Sequence, residues 1–235
     1  MAFCPDHNTW EKTGGTKIIK KLLICLMTLS LSLIFAGNNI FASDSAIINS
    51  HTDDNNVFND QNEMAQIYNE IAKKEGSMNI PSGYTGLRRA GYQWGYPKTK
   101  GKILVIGDAY KNLIPTGHAA IVYSKETVVE ALYPCVTTGK NNWTKSKNTC
   151  WGLSVTDVTD AQEKKVADWC HSQIGKPYNF NYFNVNTRSK FYCSQLIWAG
   201  FKDKYHVDLN TSKYGAAIHP LELVSTDKTM IIYKK

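Results

Sequence analysis

The chain has 235 residues, of which 43% are hydrophobic and 20% charged, and it carries a formal net charge of +7 at pH 7. That apolar share excludes a wholly disordered chain, and the length gives room for one sizeable core. The positive excess is spread along the sequence, with no dense basic block and no nucleic-acid motif, so nucleic acid is not expected as a partner; a peripheral contact with an anionic envelope or membrane surface is what the charge permits.

In chain order, Lys17, Lys20 and Lys21 come first, ahead of a mostly apolar run over 22–36, and Ile40-Phe41-Ala42 offers a small-residue cleavage site before Ser43. This is the pattern of a secretory signal. The run is short of the roughly 20 apolar residues that span a bilayer, a retained membrane anchor being the alternative. Residues 1–42 therefore read as an N-terminal extension and signal peptide. Residues 43–62, rich in Ser, Asp and Asn, read as a flexible lead-in. Residues 63–235 read as a single domain, secreted or held in the cell envelope.

Met64, Ile67, Tyr68 and Ile71 recur at helical spacing before Gly76, which predicts a helix over 63–75. Residues 77–100 hold many Gly and Pro among tyrosines and read as irregular. Residues 103–106 form a short apolar strand ending at Gly107-Asp108. Two more strands, over 119–123 and 128–132, are joined by Ser124-Lys125-Glu126-Thr127. A further strand is expected over 153–158. Asp160 is expected to cap a helix with Val166, Ala167, Cys170 and Ile174 on its apolar face, stopped by Gly175 and Pro177. A helix from Cys193 to about residue 204 buries Leu196, Ile197 and Gly200, and a strand over 230–233 closes the chain. Antiparallel strands flanked by helices make an α+β domain.

Export permits disulfides. Cys135 and Cys150 flank a loop rich in Asn, Thr, Lys and Gly and are the candidate pair. Cys170, on an apolar helix face, reads as a buried inert thiol. No CxxC spacing occurs, so no structural zinc site is expected, and no metal or organic cofactor is called for.

Two segments carry chemistry. Gly117-His118-Ala119-Ala120-Ile121-Val122-Tyr123 opens a strand on a histidine, with Glu130 on the next strand. Phe191-Tyr192-Cys193-Ser194-Gln195-Leu196-Ile197-Trp198 opens a helix on a cysteine. A thiolate nucleophile is favoured by the free N–H groups and dipole of a helix N-terminus. The Cys193 N–H is placed to hold an oxyanion, His118 to act as base and then acid, and Glu130 to orient the imidazole. If residues 125–127 form a three-residue loop, Val122 faces Glu130. His118 and Glu130 then share a sheet face, offset by two same-face positions, and a shifted register, twist or bulge must close the gap. Tyr192 and Tyr178 are the candidate oxyanion or substrate contacts.

This ordered set resembles the circularly permuted branch of the NlpC/P60 papain-like hydrolases, the YiiX/YebB-like group. The matching text runs from Gly101-Lys102-Ile103 through Gly117-His118, Val129-Glu130-Ala131, Gly175-Lys176-Pro177-Tyr178 and the cysteine segment to Ile218-His219-Pro220-Leu221-Glu222-Leu223. Histidine precedes cysteine, the reverse of the usual order and the order of the permuted branch. The chain departs from many relatives at Gln195, where they carry Glu.

The resemblance implies a permuted papain-like fold, an antiparallel sheet or small barrel packed against helices. It maps the family triad onto Cys193, His118 and Glu130. It also implies an exported cysteine hydrolase that cleaves an amide or ester through a thioester, foremost a cell-wall peptide amidase or endopeptidase. The alternatives are a hydrolase or acyltransferase of lipid or N-acyl substrates, and a non-catalytic envelope-binding module of the same fold.

Overall fold

A computed structural model describes residues 57–58, 60–76, 95–108 and 117–235. The expected signal segment, most of the lead-in and most of the irregular stretch lie outside the described residues. Among these residues five helices and six strands follow in order: α1 (Gln61–Gly76), β1 (Ile103–Ile106), β2 (His118–Val122), β3 (Thr127–Ala131), β4 (Val136–Lys140), α2 (Trp143–Ser146), β5 (Trp151–Val155), α3 (Asp160–His171), α4 (Cys193–Tyr205), α5 (Glu222–Ser225) and β6 (Thr229–Lys234). The strands form one antiparallel sheet in the order β4-β3-β2-β1-β5-β6. The fold is α+β, as expected.

The central strands are buried on both faces, which is why they read as unbroken apolar runs. Ile103, Val105, Ala119, Ile121, Val129 and Ala131 face the main core, which α3 and α4 cover. Leu104, Ile106, Ala120, Val122 and Val128 face a smaller cluster closed by Trp143 and Cys150. Each large side chain fully buried in this way contributes about 1.5–3 kcal/mol. Helices α3 and α4 cross closely at Gly200, where a Cβ would lie 2.8 Å from Val166 Cγ1 and 3.1 Å from Trp169.

Lys102, leading into β1, ties three elements together. Its buried amine meets Ser154 Oγ at 3.0 Å and Asp160 at 2.9 Å, and it pairs with Glu163 of α3. Glu163 in turn accepts from Ser154 Oγ and from the Val155 N–H. Helix α1 buries Met64, Ile67 and Ile71. Lys74 holds its far end, donating to the carbonyls of Val224 and Thr226 and to Thr229 Oγ1.

Several details differ from the sequence reading. Helix α1 starts two residues early because Asp60 Oδ1 accepts from the N–H groups of Asn62 and Glu63. The cap of α3 is Thr159, in a full capping box with Gln162, and Asp160 is the first helical residue. Ile174 lies beyond that helix and is exposed. Strand β5 begins at Trp151, two residues before the expected start, and ends at Val155. The stretch read as a loop between Cys135 and Cys150 contains β4 and α2.

The expected Cys135–Cys150 bridge is not formed, since Cys150 is a free, buried thiol. The sheet order explains this. Cys135 leads into β4 and Cys150 into β5, with β3, β2 and β1 between them. Four steps of ~4.8 Å far exceed disulfide reach.

Candidate active site

Cys193 is the first residue of α4, with Tyr192 as N-cap in extended conformation. The helix forms there because apolar residues 196–201 bury against the sheet and α3. The Gln195 side chain also turns back to accept from the Tyr192 N–H at 3.1 Å. The first N–H groups of a helix have no partner within it, so the Cys193 N–H points toward whatever meets the helix end. His206 closes the helix in the left-handed conformation.

His118 opens β2 and Glu130 lies within β3; they are 2% and 4% exposed. His118 Nε2 and Glu130 Oε2 are 2.6 Å apart. The register is Ile121↔Val129 and Val122↔Val128, so the turn is Ser124-Lys125-Glu126 rather than residues 125–127. The loop remains odd in length, and the face is preserved. Continued by two residues, this register sets Ala120 across from Glu130. His118 is then a diagonal neighbour of Glu130, one same-face position away instead of two, within reach of two long side chains.

The imidazole is also hydrogen-bonded to the Cys193 thiol. Glu130 occupies Nε2. Burial alone would lower the pKa of His118, but the hydrogen bonds and charges of Cys193 and Glu130 outweigh it and raise it to about 9. Both neighbours therefore bias the ring toward imidazolium. Trp143 covers this arrangement, its ring centroid 5.6 Å from that of His118. The Trp143 backbone N–H donates to Tyr96 Oη, which donates to Asn141 Oδ1. The sequence reading missed Trp143 because it sits in the segment taken for a loop; the alternating Val136-Thr137-Thr138-Gly139-Lys140 was the available signal.

The two candidate tyrosines differ. Tyr192 is not placed to serve an oxyanion, because its hydroxyl accepts from the Ile218 N–H at 3.0 Å and donates to the Tyr182 carbonyl at 3.1 Å. It is a buried cross-tie. The Tyr178 hydroxyl is buried beside Tyr182 and near the Cys193 sulfur, and among the described residues it makes no hydrogen bond of ordinary geometry. Gln195 suits its site as an amide. Its oxygen accepts from Tyr192 N–H and Asn179 Nδ2, and its nitrogen donates to the Val185 carbonyl at 3.1 Å. A carboxylate would face that carbonyl without a proton to give.

His219 is buried, accepts from the Leu221 N–H through Nδ1, and has its pKa lowered to about 3 by burial. Glu222 accepts the His219 N–H at 2.7 Å. These are structural ties of the 218–222 turn. Cys150 and Cys170 are buried and free, and burial pushes both thiols up. Among the described residues no group of three or more His, Cys, Asp or Glu side chains is placed to hold a metal ion. No described helix is long and apolar enough to cross a membrane.

Residues 108–220 match a family model described as permuted papain-like amidase enzyme, YaeF/YiiX, C92 family. The match supports the permuted papain-like group and its fold for this chain, and with them a cysteine hydrolase of the amidase type. Among curated proteins it is similar to the uncharacterized protein YycO of Bacillus subtilis (strain 168), at 25% identity over 186 residues, covering 72% of this chain and 71% of that one. Among solved structures it is similar to yiiX from Escherichia coli O157:H7, described as a metalloprotein. That match has a TM-score of 0.48 at 15% identity, covering 60% of this chain and 99% of the other.

Proposed function

We propose that Cys193, His118 and Glu130 are the catalytic triad of an exported amidase that cleaves peptide amides of the cell wall. The observation that carries the triad is the imidazole of His118, bound on one nitrogen by Glu130 at 2.6 Å and hydrogen-bonded to the Cys193 thiol. Export is supported by the basic and apolar pattern over 17–42, and the cell-wall substrate by the likeness to NlpC/P60 hydrolases.

The Cys193 thiolate attacks the scissile carbonyl carbon and forms a C–S bond. The carbonyl electron pair moves onto oxygen, where the Cys193 N–H and the Tyr178 hydroxyl donate to it. Collapse breaks the C–N bond, and the amine leaves with a proton from the His118 imidazolium. Water then attacks the thioester while His118 takes its proton, and the acid departs with Cys193 restored. Glu130 holds the ring and favours its charged form. No step calls for a metal.

A second reading has its own observation. Tyr133 and Phe183 are 65% and 51% exposed. Phe180 bridges Tyr133 and Tyr178 at ring distances of 5.7 and 4.9 Å. The Tyr133–Phe180–Tyr178 chain of rings leads from the surface to the buried Tyr178 hydroxyl and favours an acyl chain over a polar peptide. Incubation with disaccharide-peptide fragments of cell wall and, separately, with N-acyl amino acids decides between them. Release of a new amine from the first supports the peptidase reading. Release from the second alone overturns it in favour of the acyl reading.

A further inference from the structure

We propose that Gly139 is a positioning residue of this site: its missing side chain is the space the Glu130 carboxylate occupies while it holds His118. The inference rests on the triad reading above. Strand β4 pairs with β3 so that Glu130 faces Thr137 and Val128 faces Gly139. Gly139 is thus the diagonal, same-face neighbour of Glu130 on the side away from β2. A Cβ at 139 would lie 2.0 Å from Glu130 Oε1 and 3.0 Å from its Cδ, with Val128 Cγ2 at 3.3 Å. The carboxylate therefore lies directly over the Gly139 backbone while its other oxygen meets His118 Nε2.

Nothing in the backbone asks for glycine there. The positive-φ glycines among the described residues are Gly101, Gly117, Gly175 and Gly215. Glycine inside a strand is otherwise unfavourable, since it offers no side chain to pack and loses the most freedom on folding. The same face explains the need. Gly139 and Glu130 are neighbours on that face, the carboxylate lies over the Gly139 backbone, and any substituent at 139 stands in its way.

Alanine at 139 collides with the end of a side chain, not with backbone, so β4 keeps its place and the carboxylate moves. Displacing Oε1 carries Oε2 off its contact with Nε2. His118 then loses both its orientation and the charge that favours imidazolium, and the Cys193 thiolate loses its counter-ion. A residue that served only the sheet would instead change stability and leave the thiol alone.

The test is alkylation of Cys193 by iodoacetamide at pH 7, read on the Cys193 peptide by mass spectrometry, with the melting temperature measured alongside. Cys150 and Cys170 are buried with raised pKa values and serve as internal slow controls. Gly139→Ala is expected to slow the reaction about tenfold, because a misplaced imidazolium leaves less of the sulfur as reactive thiolate, with melting unchanged or higher. In a Glu130→Ala background, Gly139→Ala is expected to add nothing, because the displaced group is gone. A wild-type rate in Gly139→Ala, an equal slowing in the Glu130→Ala background, or a parallel fall in melting temperature overturns the proposal. If wild-type Cys193 reacts no faster than an ordinary thiol, the triad reading falls and takes this one with it. If wild-type Cys193 is fast and the two effects multiply, only the role of Gly139 falls.

Discussion

Glu130 Oε2 lies 2.6 Å from His118 Nε2 although the two residues are diagonal, not opposite, on β3 and β2. The contact is buried, so water does not screen it. In the proposed triad, the orientation of the imidazole rests on this one hydrogen bond.

Removing the sulfur should stop the chemistry and spare the fold. Cys193→Ala is expected to lose all measurable amide hydrolysis while keeping the wild-type circular dichroism spectrum and melting temperature to within a few degrees. Cys193 is small and its α4 neighbours carry the packing. Retained turnover in this variant is incompatible with the proposed nucleophile.

The alkaline limb of the pH–rate profile should belong to His118. Its pKa is raised to about 9, so imidazolium persists through neutral pH and is lost as pH rises through that value. Glu130→Gln removes a charge that favours the imidazolium, so the limb should move to lower pH. On the alkaline side kcat/KM should fall about tenfold for every pH unit by which the limb moves. An unmoved limb, measured on any turned-over amide, would separate Glu130 from the catalytic pair.

Two buried histidines should pull stability in opposite directions with pH. His118 has a raised folded pKa, so its contribution is fully present below about 6.5 and is lost as pH rises through about 9. His219 has a folded pKa lowered to about 3, so the unfolded chain binds the extra proton between about 3 and 6.5 and stability falls as pH falls across that window. The His219 effect is on the order of 5 kcal/mol at full extent. His219→Asn keeps an acceptor for the Leu221 N–H and should flatten the acid side of the urea-midpoint profile. An unchanged acid slope would contradict this assignment.

The Lys102–Glu163 pair should matter more when broken than when replaced. Lys102→Met leaves a buried carboxylate beside Ser154 and Val155 and should cost about 3–5 kcal/mol in urea unfolding. Lys102→Met with Glu163→Leu should recover most of that loss. If the double variant is no more stable than the single, buried charge is not the cause.

Much of the site was legible because its residues head regular elements. His118 opens a strand and Cys193 a helix, and both places follow from apolar runs. The shared face of His118 and Glu130 followed from loop parity, which survives a one-residue slip of the turn. The polar strand β4 was not legible. Val136-Thr137-Thr138-Gly139-Lys140 is an edge strand with little apolar content, and such strands are kept polar to avoid further pairing. Losing β4 also hid Trp143 and made Cys135 and Cys150 look like neighbours. Tyr192 misled because sequence gives a hydroxyl near the cysteine but not the Ile218 N–H and Tyr182 carbonyl that claim it.

The most direct test of the triad is acylation by p-nitrophenyl acetate, a small activated ester that reports a reactive thiolate whatever the natural substrate. Rapid-quench mass spectrometry with peptide mapping should place an acetyl group on Cys193 during a nitrophenolate burst, much more slowly in His118→Gln and not at all at this position in Cys193→Ala. A wild-type burst no faster than that of His118→Gln, or an acetyl group formed at full rate on another residue, would contradict the account.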